Sequence, residues 1–217
     1  MIWYWLNFTP KTHPPLPPEI SIVNNNQSLL PDAGLFYIDN FLSSQKANAL
    51  FYALKQEIVW QSPQIRMFGK WVNQPRLLAW QASGIFPYRY SGQTLQAEPF
   101  HPLIELLCLE INAFCQTKFN SVLLNYYRSG NDSMGWHSDN EPELGTNPII
   151  ASISLGAVRD FQLKQIHPPY SLKTYKLEQG SLLIMGENVQ DLYKHALPKR
   201  AHAEPRINLT FREIKFT

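Results

Sequence analysis

Apolar residues recur along this chain with two different periods, and the change from one to the other divides it. Ala47, Leu50, Phe51, Leu54 and Ile58 stand three or four apart. That spacing gathers them on one stripe of a helix, with Ser43 or Ser44 as the cap. A second stripe, Ile104, Leu107, Cys108, Ile111 and Cys115, begins near Pro102, a residue suited to a first helical turn. Leu35–Ile38 reads as a strand, and residues 60–100 as short extended pieces interrupted by Pro and Gly. Beyond Lys118 the pattern is strand upon strand, at 121–127, 149–155, 160–165, 172–177, 181–186, 193–196 and 206–213. Turn residues and no helices separate these strands, which predicts a sandwich or barrel. The expected fold is mainly β with flanking helices (α+β), a β-barrel or jelly roll buttressed by two helices. Residues 1–30 read as an aromatic and proline-rich arm, with Trp3, Tyr4, Trp5 and Phe8 ahead of the prolines. Residues 31–217 read as one domain, with the helices in 31–119 and the β core in 120–217.

The final strand alternates Arg206, Asn208, Thr210 and Arg212 with Ile207, Leu209 and Phe211. Such a two-residue period puts the polar set on one face. That face is either bathed in water or lines a polar pocket, and the alternation alone allows both. Six residues span about 20 Å of strand, so two guanidinium groups leaning inward would bracket an elongated dianion from opposite ends. Leu123, Asn125 and Tyr127 share a face in the same way and would add an amide and a hydroxyl. His137 and Asp139 stand two apart, a spacing that in extended backbone turns both side chains one way. With His195 as the third ligand, two imidazoles and a carboxylate leave positions open on one metal ion, the arrangement of non-haem Fe(II) oxygen chemistry. His13, His101, His167 and His202 lack ligand spacing and read as surface residues.

Composition narrows the classes. With 44% hydrophobic and 13% aromatic residues the 217-residue chain can bury a core. A formal charge of +2 does not by itself indicate a nucleic-acid partner. Cys108 and Cys115, seven apart, share a helix face and read as buried free thiols of a reducing compartment, the cytoplasm or a eukaryotic nucleus. The N-terminal residues do not make a signal peptide, and no run is long and apolar enough to span a membrane.

Taken together, these pieces resemble the AlkB-like Fe(II)/2-oxoglutarate dioxygenases. The matching segments are Asn125-Tyr-Tyr, His137-Ser-Asp139, Ile153-Ser-Leu-Gly-Ala with Arg159-Asp-Phe161, Gly180-Ser-Leu-Leu-Ile-Met, His195, and Pro205-Arg-Ile-Asn-Leu-Thr-Phe-Arg212. They run through residues 120–213 in family order. The resemblance implies a double-stranded β-helix holding Fe(II) on His137, Asp139 and His195, with O2 as co-reactant. It also implies 2-oxoglutarate on Asn125, Tyr127, Arg206, Thr210 and Arg212, with Asn208 in support.

Upstream, Phe68-Gly69-Lys70-Trp71, Pro75-Arg76 and Tyr88-Arg89-Tyr90-Ser-Gly92 resemble the nucleotide-recognition region of the duplex-DNA-repairing homologues. A methyl group on the pairing edge of a base cannot reach a metal inside a duplex, so the nucleotide must be extruded. The resemblance implies that Phe68 wedges into the stack, Tyr90 stacks on the flipped base and Tyr88 steadies it. Lys70, Arg76 and Arg89 would contact phosphates; Trp71 and Trp80 read as core. Asn140-Glu141 departs from the two acidic residues of those relatives, and the segment 164–176 is shorter than their basic loop. The implied reaction is demethylation of 1-methyladenine or 3-methylcytosine in DNA by a monomer, releasing formaldehyde, with 2-oxoglutarate converted to succinate. An RNA demethylase or peptide hydroxylase on the same scaffold is the alternative. A cupin-like binding module would disperse the triad, and a zinc hydrolase would leave the Arg206/Arg212 row without a purpose.

Overall fold

A computed structural model of the protein describes residues 26–30, 33–67, 69–84, 87–90, 93–186 and 188–215. In chain order they form β1 (Asn26–Leu30), β2 (Leu35–Ile38), α1 (Ser44–Glu57), β3 (Gln64–Met67), β4 (Lys70–Asn73), β5 (Leu77–Ala82), β6 (Pro87–Tyr90), β7 (Gln93–Gln96), β8 (Glu98–Pro99), α2 (Pro102–Cys115), β9 (Ser121–Tyr127), β10 (Met134–His137), β11 (Ile150–Gly156), β12 (Arg159–Gln165), β13 (Leu172–Leu177), β14 (Leu182–Met185), the one-turn helix α3 (Val189–Leu192), β15 (Tyr193–Leu197) and β16 (Arg206–Arg212). Eight strands make one sheet in the order β1-β2-β14-β11-β16-β9-β5-β8, and four make a second, β10-β15-β12-β13. This is the jelly roll that the strand pattern predicts, with β3–β4 and β6–β7 as separate two-stranded ribbons.

Helix termini follow the local chemistry. Of the two serines able to cap α1, Ser43 does so, its Oγ accepting the Lys46 N–H at 3.3 Å. His101, expected to be an idle surface residue, caps α2 instead. Its Nδ1 accepts the Leu103 N–H at 3.3 Å, and its Nε2 lies 2.9 Å from Glu57 at the end of α1. The apolar stripes of both helices cover one face of the large sheet. Leu50, Leu54, Leu107 and Ile111 pack there against Val122, Leu124, Ile153, Ile207, Leu209 and Phe211. Burial of such side chains contributes roughly 1.5–3 kcal/mol each. The opposite face of the large sheet meets the small one, where Ile150, Phe161, Leu163, Leu177, Leu183 and Met185 form a second core. β16 sits between β11 and β9, so it has helices on one side and the sandwich interior on the other. Its alternation therefore separates two buried environments, and the polar row does not face water.

Three expectations need correction. Asn26–Leu30, assigned to the arm of residues 1–30, pairs with β2 and so belongs to the large sheet; residues 1–25 of that arm lie outside the described residues. Trp71, read as core, is 63% exposed, because among the described residues β4 pairs only with β3, in a two-stranded ribbon. Trp80 on β5 is buried. No helix was expected between the late strands, yet α3 sits between β14 and β15; the segment before Asp139, read as extended, is the strand β10, paired with β15. Cys108 and Cys115 are free thiols, pushed up by burial to about 11 and about 12, and are protonated at neutral pH.

Candidate metal centre

The three expected ligands converge. His137, the last residue of β10, lies directly opposite His195 on β15, and their ring centroids are 4.1 Å apart. Asp139 reaches the same point from just beyond the end of β10. One ligand atom from each of His137, Asp139 and His195 lies within 4.8 Å of the other two. His195 and Asp139 are buried and His137 is half-buried, which leaves one side of the cluster open.

Whether this cluster suits a divalent ion is answered by its protons and lone pairs. His137 Nδ1 stands 2.9 Å from the Gly135 carbonyl, which can only accept. The carbonyl takes the Nδ1 proton and so orients the ring, which points Nε2 into the cluster, 3.5 Å from Asp139 Oδ1. Asp139 Oδ1 is buried with no hydrogen-bond partner among the described residues, a costly arrangement for a carboxylate oxygen unless a cation completes it. Burial alone would raise the Asp139 carboxyl. The Arg212 guanidinium, 2.9 Å from Oδ2, and the two histidines outweigh burial and hold it at about 2. His195 is held down to about 3 by burial and by neighbouring His137, and is neutral. Two imidazoles, one of them held neutral, and one ionised carboxylate make a donor set suited to a divalent first-row metal. The residues fit the group.

Next to the triad, the polar row of β16 lines a cavity open on one side. Arg206, Asn208, Thr210 and Arg212 all line it, with Leu123, Asn125 and Tyr127 of β9 beside them in register. The row is not uniform. Thr210 donates to Asn208 Oδ1 (2.9 Å), and Asn208 Nδ2 donates to Ser152 Oγ (2.7 Å) and the Ile153 carbonyl (3.1 Å). Among the described residues Arg206 has a single hydrogen bond, Nη2 donating to Ser154 Oγ at 3.0 Å. Its Nε and Nη1 are buried with no partner among the described residues. Burial lowers its guanidinium to about 10, so it stays charged at neutral pH. The two arginines therefore differ in their surroundings. Arg212 is joined to the metal-binding carboxylate, and Arg206 offers uncommitted donors at the far end.

One expected contact moves. Arg76, expected to meet phosphate, is buried, and its Nε donates to Asn125 Oδ1 at 2.7 Å. The cause is its place just ahead of β5, which pairs with β9, so the side chain turns under the cavity floor. An arginine can only donate, so this bond fixes the amide and leaves Asn125 Nδ2 as the donor for a ligand. Gly69 occupies the exposed turn between β3 and β4 with a positive φ of 79°. Asn140 is exposed and Glu141 half-buried, directly after the metal carboxylate. Phe68 and the side chains of Lys70, Tyr88, Arg89 and Tyr90 lie outside the described residues.

Sequence reasoning gave no role to four contributors, although Ser154 and Arg159 stand in the matching segments. Ser152 and Ser154 stand two apart in an apolar strand, a periodic signal that was legible. Arg159 is fully buried and donates to the carbonyls of Asp132 (2.9 Å) and Pro198 (2.6 Å), tying the approach to His137 to the chain after His195. Gln190 accepts the Asp139 N–H, and no local pattern marks it.

The comparisons with known proteins agree with this geometry. The family described as the 2OG-Fe(II) oxygenase superfamily matches residues 34–212. Alpha-ketoglutarate-dependent dioxygenase alkB homolog 3 of Bos taurus is 39% identical over 184 residues, covering 80% of this chain and 64% of that protein. DNA oxidative demethylase ALKBH2 is 37% identical over 207 residues in Arabidopsis thaliana (83% of this chain, 66% of that protein). The Homo sapiens ALKBH2 is 34% identical over 183 residues (79% of this chain, 70% of that protein). The chain thus spans about 64% of the length of the first of these relatives. The solved structure of OsALKBH1 superposes with a TM-score of 0.59 over 86% of this chain and 100% of that one, at 18% identity, a likeness of fold.

Proposed function

The chain belongs to the 2OG-Fe(II) oxygenase superfamily and is AlkB-like within it, and on that premise we propose that it oxidatively demethylates N-alkylated bases in DNA. 1-Methyladenine and 3-methylcytosine are the proposed lesions. The observation that carries the reading is the pairing of a convergent His137–Asp139–His195 cluster with a buried, donor-rich cavity ending at Arg206. A divalent binding module could use the first, but has no need of the second.

His137, Asp139 and His195 would hold Fe(II). Bound with 2-oxoglutarate and O2, the iron would supply the oxidising chemistry, in which one oxygen atom goes to succinate, CO2 leaves, and the N-methyl carbon is hydroxylated and lost as formaldehyde. The protein's own share is placement. Arg206 would receive the distal carboxylate of 2-oxoglutarate, with Tyr127 opposite it in register and the Asn125 amide beside them. Arg212 keeps Asp139 ionised and oriented. Phe161, Leu177 and Leu197 line the remaining wall with apolar surface and exclude water from the site. Glu141 would accept from an exocyclic amine, and Asn140 removes a negative charge that the duplex-repairing relatives carry there. Tyr90, Tyr88 and the Phe68 wedge would receive and steady an extruded nucleotide.

Formaldehyde and succinate release from one oligonucleotide carrying a single methylated base tests the proposal, presented as duplex, single strand and RNA. Activity on DNA that disappears in Asp139→Ala is expected, with Phe68→Ala reducing duplex turnover more than single-strand turnover. Turnover of the RNA alone would transfer the assignment to an RNA demethylase. Absence of succinate with every nucleic acid would overturn the proposal.

A further inference from the structure

The metal ligands arrive on two separate pieces of chain, and two side-chain hydrogen bonds join those pieces beside the site. Asp139 N–H donates to Gln190 Oε1 at 2.9 Å, and Ser138 Oγ donates to the Tyr193 carbonyl at 3.0 Å. Gln190 lies on α3 and Tyr193 opens β15, five and two residues before His195. Gln190 is 3% exposed, and its Nε2 lies 3.6 Å from the sulfur of Met185, which lines the cavity. A buried primary amide on a one-turn helix is an expensive placement unless its oxygen is used. Here the oxygen is used on the backbone of a metal ligand.

We propose that Gln190, assisted by Ser138, is a positioning residue that presets the metal site by fixing Asp139 relative to the segment carrying His195. The inference rests on the metal assignment made above. Without the Gln190 acceptor, the Asp139 N–H is left buried and unpaired. The residue then rotates to find another partner, and its carboxylate leaves the direction set by Arg212. Supporting contacts to metal ligands typically change affinity 10–100-fold. Gln190→Met keeps the length and apolar bulk but removes the amide acceptor, whereas Gln190→Glu keeps an oxygen that can accept.

The experiment measures Mn(II) affinity of the full chain by calorimetry, and Co(II) visible absorption as a reporter of coordination geometry. Gln190→Met should weaken Mn(II) binding at least tenfold and alter the Co(II) spectrum, with Gln190→Glu restoring affinity to within threefold of wild type. Ser138→Ala, at a half-buried position that tolerates the change, should weaken binding threefold or more. Mn(II) affinity within twofold of wild type in Gln190→Met overturns the proposal. Where that variant fails to fold, unchanged affinity in Ser138→Ala does so. Wild-type protein that does not bind Mn(II), or binds it equally well after Asp139→Ala, would instead refute the metal assignment itself.

Discussion

Replacing Arg206 with Met should separate the stability of the fold from the binding of its ligand. The guanidinium is 1% exposed, holds one hydroxyl acceptor, and leaves Nε and Nη1 buried without partners among the described residues. Burial lowers it from the ordinary guanidinium range to about 10, a penalty on the charged form of roughly 3 kcal/mol. Substituting a buried charge in such surroundings by an apolar side chain of similar length is neutral or stabilising. The ligand-free Arg206→Met protein should therefore melt at or above the wild-type temperature. The bound state behaves oppositely. Truncating one member of a buried charge pair costs about 2–5 kcal/mol, so 2-oxoglutarate should bind more than 30-fold more weakly. At a concentration of 100 Kd the ligand stabilises the wild type by about 2.7 kcal/mol, or roughly 5–10 °C for a domain of this size. A hundredfold loss reduces that to about 0.4 kcal/mol. Thermal unfolding with Mn(II), with and without 2-oxoglutarate, reads both quantities. A variant that keeps the full ligand-induced shift, or one that loses more than about 2 kcal/mol without ligand, refutes the reasoning.

Acid should destabilise the metal-free protein early. His195 is held at about 3 against 6.5 in the free side chain, so below pH 6.5 the unfolded chain takes up a proton that the folded one refuses. Stability falls by about 2 kcal/mol between pH 7 and pH 5, then further from about pH 4 toward 2 as Asp139, held at about 2, is neutralised. Urea unfolding curves that coincide at pH 7 and pH 5 would contradict this. Arg212→Met removes the charge that keeps Asp139 ionised, so burial should raise that carboxyl and move the onset of Mn(II) binding to higher pH, read by calorimetry across pH 5–8. Arg159→Met strips donors from the Asp132 and Pro198 carbonyls and should cost roughly 3 kcal/mol by thermal unfolding. A loss below 1 kcal/mol would show that water replaces the guanidinium there.

How much of this was readable beforehand depends on the range of the interaction. The polar row Arg206–Arg212 and the helical stripes of α1 and α2 are local periodicities, and both landed on the faces that the spacing predicts. What the alternation could not give is the environment beyond each face, since water and a cavity select the same residues. That was decided by the placement of β16 between β11 and β9, under a helix layer. His101 shows the same limit at short range. Nothing in its neighbourhood distinguishes a solvated imidazole from one that closes a helix end until Glu57 is brought to it by the packing of α1.

Arg76 carries the point furthest. Its place in Pro75-Arg76, a segment that resembles the nucleotide-recognition region of the duplex-repairing relatives, implied a phosphate contact. The register of β5 on β9, which sets Leu78 opposite Asn125, instead carries Arg76 beneath the cavity floor. There its charge contributes through a neutral amide, by deciding which end of Asn125 faces a ligand. A cation read from the sequence as a direct contact is thus an indirect one. Arg76→Gln should leave backbone binding to nucleic acid unchanged while weakening 2-oxoglutarate, because the freed amide can then turn its oxygen toward a carboxylate. Parallel titrations of an undamaged oligonucleotide and of 2-oxoglutarate distinguish the two roles, and a selective loss of oligonucleotide binding would restore the phosphate assignment.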